Sequence, residues 1–169
     1  MATSTYNLIA SQIVGAGGAS SITFSSIPQT YTDLKLIASA RETASSIDPT
    51  GYITFNGSSS TFSYEWLYGT GSGTGTTSGS NNQLWDDNGS TATANTFGNA
   101  EFYITNYTSS NNKSFSFETI QENNATYGSQ IIGAGLWSTT SAITSIGLAP
   151  SSGTFVQYSS FYLYGIKNS

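Results

Sequence analysis

The sequence predicts an all-β, single-domain antiparallel β-sandwich, and three observations predict it. Short runs rich in Ile, Val, Phe, Tyr and Thr recur between clusters of Gly, Ser, Asn and Pro, the punctuation of a sandwich or barrel. Several runs alternate: Ile22 and Phe24 against Thr23 and Ser25, and Phe115 and Phe117 against Ser114, Ser116 and Glu118. That period of two belongs to a strand with one buried face. No window has convincing helical periodicity, so no helix longer than a turn or two is expected.

In chain order, Tyr6–Val14 is the first strand, closed by the glycine turn Gly15-Ala-Gly-Gly-Ala19. Ser21–Ser26 is the second, ended by Ile27-Pro28-Gln29, where proline lacks the ladder donor. Leu34–Arg41, Gly51–Phe55 and Phe62–Tyr68 come next, with a turn at Asp48-Pro49. Residues Gly69–Asn82 are a Gly/Ser/Thr tract that offers no apolar surface to bury, so a mobile loop or hairpin tip is expected there. The β pattern resumes beyond it, so the tract is an excursion within one domain spanning 1–169. Ala100–Tyr107, Ser114–Thr119, Gln130–Trp137 and Ile143–Leu148 complete the series before the last strand, Phe155–Ile166. There Phe161, Leu163 and Gly165 share one face, while Tyr158, Tyr162, Tyr164 and Ile166 crowd the other. Such a strand is either central in a sheet or buried in a subunit contact.

Composition limits the chemistry. Among 169 residues there is no His and no Cys, and only 4 basic and 9 acidic side chains. Catalytic triads that need an imidazole or a thiolate are thereby excluded. The formal charge of −5 argues against nucleic acid, because Lys35, Arg41, Lys113 and Lys167 are too few and too scattered to neutralise phosphates. No apolar run is long enough to span a bilayer, and the first residues lack the basic region of a signal peptide. Neither a nucleic acid nor a membrane partner is expected. Solvent-facing positions are filled by Ser, Thr and Asn, which are cheaper to desolvate than charges.

Three constellations could still carry function. Glu42, Glu65, Glu101, Glu118 and Glu122 could supply a two-carboxylate glycosidase pair, yet nothing in the sequence brings two of them together, and they read as solvated charges. Trp85-Asp86-Asp87-Asn88-Gly89 sets oxygen donors beside a glycine, as hard-cation loops do, but it lacks the full ligand ladder. The same run reads as an ordinary hairpin turn, and no metal or cofactor is expected. Of the three tryptophans, Trp85 is expected to be exposed beside Asp86 and Asp87, forming a surface recognition loop, whereas Trp66 and Trp137 read as core.

Three stretches carry a likeness to a known group. They are Tyr6-Asn-Leu-Ile-Ala-Ser11 with Ile22–Leu34; Asn95–Ala100 with Ile104–Ser109 and Glu122–Ala125; and Gly135–Trp137 with Phe155–Tyr158 and Tyr162–Ser169. Collinear over nearly the whole chain, they resemble a family of small virion structural proteins of tailed bacteriophages, frequent in marine and freshwater phages. The resemblance implies a non-enzymatic particle component of sandwich or jelly-roll form, and it carries no catalytic residues. On that footing the expected role is a capsid decoration (cement) protein on the capsid surface, made in the host cytoplasm. It would act as a homotrimer clamping the major capsid protein. Tyr158, Tyr162, Tyr164, Ile166 and the N-terminal segment are the expected interface, with core packing the competing reading for Tyr162 and Ile166. The alternative is a tail-associated or receptor-binding head domain that meets host glycans through Gly69–Asn82 and Trp85–Asn88. The start of the first strand near Tyr6 leaves little room for a fibre anchor and favours decoration.

Overall fold

Alternating sequence becomes two antiparallel sheets packed face to face in a computed structural model that describes residues 5–122, 124 and 128–167. The first four residues of the expected N-terminal interface segment lie outside that range. The large sheet has eight strands. In spatial order they are β1 (Tyr6–Ile13), β12 (Ser160–Ile166), β3 (Asp33–Ala40), β8 (Gly98–Ile104), β9 (Lys113–Glu122), β10 (Gly128–Trp137), β5 (Phe62–Gly69) and β6 (Thr74–Gly79). The small sheet has four, in the order β2 (Ile22–Phe24), β11 (Ile146–Ala149), β4 (Thr50–Phe55) and β7 (Gln83–Asp86). No helix occurs among the described residues, and none is long and apolar enough to cross a membrane.

Strands β1 to β4 step alternately between the sheets, as do β7 to β8 and β11 to β12. Two hairpins interrupt that alternation. β5–β6 is inserted between β4 and β7, and β9–β10 between β8 and β11. They meet each other: β10 pairs with β5 from Gln130↔Gly69 to Trp137↔Phe62. Together they widen the large sheet well beyond the four strands that face it.

The core is aromatic where the sheets overlap. Phe55 of β4 packs on Phe62, Phe115 and Trp137 with ring centroids 5.4, 5.5 and 5.6 Å apart. Tilted and edge-on pairs of this kind contribute about 0.5–1.5 kcal/mol each beyond their area. Phe115 and Phe117 face inward from β9 while Ser114, Ser116 and Glu118 face out, as their alternation requires.

Two expected elements are corrected. Of the two forms expected for Gly69–Asn82, the hairpin tip occurs, but only at Thr70–Gly73, where Thr70 N–H donates to Gly73 O at 2.9 Å; the tract then runs as edge strand β6 before leading into β7. Its glycines explain why such a sequence is a strand. Tyr68 and Tyr64 of β5 lay their rings over their direct partners Gly75 and Gly79, where a β-carbon would collide with them. The last strand begins at Ser160, not at Phe155. Phe155 is fully buried and bridges Ala19 and Glu42, and the chain then turns through Tyr158 at φ 75°.

Candidate functional site

Two regions collect the polar and apolar side chains left over from the sandwich. The first is the end of β7. Here the expected recognition loop is overturned: Trp85 is 1% exposed and packs on Phe155, Asp86 is buried, and Asp87 and Asn88 are completely enclosed. No hairpin turn forms. Instead Glu42 N–H donates to Asn88 O at 2.8 Å, and the Asp87 backbone lies on Gly98, where a β-carbon would sit 2.9 Å from Asp87 Cα.

Beyond Asn88 the chain winds around a guanidinium. Arg41 Nη1 donates to the carbonyls of Thr93 and Thr96 at 2.7 and 3.1 Å, and Nη2 to those of Ser90 and Ala92 at 3.3 and 3.1 Å. A planar fork of donors suits such a ring of carbonyls. Glu122 ties the outer side of the same loop. It accepts from Thr93 N–H at 2.7 Å, from Thr93 Oγ1 at 3.0 Å and from Thr96 Oγ1 at 3.1 Å. Desolvation pushes the Glu122 carboxyl up, but these bonds and one from Asn124 N–H outweigh it and hold it below the usual range.

Burial dominates the other carboxyls. It pushes Asp86 up to about 7, against hydrogen bonds from Thr50 and Gln121, and Asp87 up to about 9, with Glu42 and Asp86 adding repulsion and Arg41 opposing. Glu42, also raised by burial, accepts from Ser151 N–H at 2.7 Å and from the Ser151 hydroxyl. No three His, Cys, Asp or Glu side chains form a metal-ligating group among the described residues.

The second region is the open face of the large sheet. Register places Leu67, Ile132, Glu118, Glu101, Ile37 and Tyr162 in one row across it. Glu101 and Glu118 are thus direct neighbours, not a cleft pair. Glu101 is held by Lys35 Nζ at 2.7 Å, and Glu118 accepts from Gln130 Nε2 at 2.7 Å. Beside them Tyr103 Oη donates to Asp33 Oδ2 at 2.7 Å, a bond that pushes the phenol up to about 12. Glu65 lies on the same face, two strands from Glu118.

The expected interface residues divide. Tyr162 and Tyr164 lie half-buried on this open face, between Leu8 of β1 and Lys35 and Ile37 of β3. Ile166 points the same way and is buried there, outside the core cluster. Tyr158 is not on the strand at all; it sits 70% exposed in the preceding turn. Trp137 is core, as expected, and Trp66 is half-buried, stacked on Tyr64 at 4.5 Å. Sequence reasoning missed Leu67, Ile120 and Ile132. Their signal was present as large apolar residues at the outward positions of alternating strands.

Fold and surface together define an all-β sandwich with one broad uncovered sheet face. No protein-family model, curated protein or solved structure matches the chain.

Proposed function

We propose that the chain is a non-enzymatic virion structural protein, a capsid decoration protein that clamps capsomers through the open face of its large sheet. One observation carries the reading. Among the described residues eight large hydrophobics are exposed, and six of them lie on that face: Tyr6, Leu8 and Ile13 at one end, and Leu67, Ile120 and Ile132 at the other. Apolar residues grouped on one face mark a surface that is covered in use. Burying it against a shell contributes roughly 25 cal/mol per Å², stability that internal pressure must overcome. The virion itself enters through the sequence resemblance. The alternation of eight strands between the two sheets supports the jelly-roll form that resemblance implies. A homotrimer, closed by rotation, would also cover the edges β1 and β6.

The glycan-recognising tail reading has lost the Trp85–Asn88 loop, whose aromatic is enclosed. Cryo-electron microscopy of the intact particle tests the choice. Density for this chain repeating over the icosahedral shell is expected; density confined to the tail or a vertex would overturn the decoration role.

A further inference from the structure

We propose that the buried end of β7 is a calcium site built from Asp86 and Asp87, completed by the neutral side-chain oxygens of Gln121, Asn88 and Thr119. Six oxygens there are enclosed and have no hydrogen-bond partner: Asp86 Oδ1, both oxygens of Asp87, Asn88 Oδ1, Thr119 Oγ1 and Gln121 Oε1. Five of the six can only accept, apart from any proton a carboxyl takes up. Buried acceptors are normally satisfied, and leaving this many bare in one small region is costly.

Asp86, Asp87 and Asn88 are consecutive at the end of β7, and β9 of the opposite sheet supplies the other two side chains. Gln121 reaches Asp86 from β9 in the opposite sheet, donating Nε2 to Asp86 Oδ2 at 3.3 Å, which leaves Oε1 of the same amide bare. Thr119 lies two residues along on the same buried face of β9. Its direct partner is Ala100, Ala100 pairs with Ala38, and Gly98 under Asp87 pairs with Ala40. The floor beneath the carboxylates is therefore lined by small residues. Asn88 is fixed by its amide nitrogen, Nδ2 donating to Thr96 Oγ1 at 2.6 Å, and its oxygen is left bare.

Charge points to the same ligand. Three buried carboxylates, Glu42, Asp86 and Asp87, share the region with one guanidinium, that of Arg41, leaving two negative charges uncompensated when all are ionised. Arg41 is already committed to four backbone carbonyls. A divalent cation supplies the missing charge and accepts mixed carboxylate, amide and hydroxyl oxygens. Calcium, with six to eight oxygen ligands in flexible geometry, suits the set better than magnesium, which requires a near-ideal octahedron and keeps its waters. Only two acids take part, and the neutral oxygens make up the coordination.

The test uses the full chain refolded from urea in EGTA, in excess CaCl2 or in excess MgCl2, so that an enclosed site can fill during folding. At calcium about 100-fold above Kd the melting temperature is expected to rise by about 5–10 °C over the EGTA sample, with a smaller rise in magnesium. Terbium, standing in for calcium, is expected to emit on tryptophan excitation because Trp85 adjoins Asp86. Both effects vanish in Asp87→Asn and in Asp86→Asn, each melting in EGTA no lower than the wild type, since an uncharged amide of nearly the same shape replaces a buried carboxyl. Equal melting in EGTA and calcium without terbium emission would overturn the site. So would a calcium shift that survives in either variant, or one that magnesium reproduces in full.

Discussion

Gly133 lies directly beneath the ring of Phe117, its partner across the β9–β10 ladder, and Gly135 stands in the same relation to Phe115. An inward-facing glycine leaves a hole in the sheet, and a neighbouring aromatic lying over it fills the hole and fixes the register. Gly133→Ala and Gly135→Ala should each destabilise by about 1–3 kcal/mol, because the rings they displace are packed against Phe102, Phe55 and Phe62. Urea unfolding checks this. Gly15→Ala, in open space, serves as the control and should stay within about 0.5 kcal/mol of wild type.

Trp85 is a packing residue. Trp85→Ala should cost about 3–5 kcal/mol in denaturant unfolding, and Trp85 fluorescence should resist quenching by added iodide. A Trp85→Ala protein as stable as the wild type would return the residue to the surface.

Arg41 holds the loop after β7 through four carbonyls. Arg41→Met keeps the aliphatic length and removes every donor. Destabilisation of at least about 2 kcal/mol is expected, with protease nicking concentrated between Ser90 and Thr96.

Glu122 gives that loop a pH dependence of known sign. Its carboxyl is depressed in the folded chain, so the stability it contributes is present above the ordinary value and lost as pH falls through the folded one. Hydrogen exchange at the Thr93 and Asn124 amides, which donate to it, should show less protection at the acid end relative to the sandwich core. Glu122→Gln should abolish that difference.

The open face should govern association and leave folding alone. Leu67→Lys with Ile132→Lys, at directly paired positions, should change unfolding free energy by no more than about 0.5 kcal/mol per site. Sedimentation should show the double variant as a monomer under conditions where the wild type assembles.

Strands whose alternation is internal, such as β9 with Phe115 and Phe117, were legible in the sequence because each carries its own period. β6 was not, since Thr74–Gly79 is a strand only by virtue of the tyrosines that β5 lays over its glycines. The Trp85–Asn88 run misleads for a related reason. Adjacent acids look solvated until Arg41 and Gln121, distant in sequence, are brought against them. On the open face the half-buried Tyr162 and Tyr164 were readable, while Leu67 and Ile132 gained meaning only when register set them side by side.

The two inserted hairpins have a consequence for how this chain could change. Their dependence runs one way: without β9–β10, strand β5 loses the ladder that joins it to the rest of the sheet, whereas without β5–β6, β10 takes over as the edge that β6 forms now. The outer hairpin is therefore laid on the inner one, and the sheet can be narrowed only from its β6 side inward.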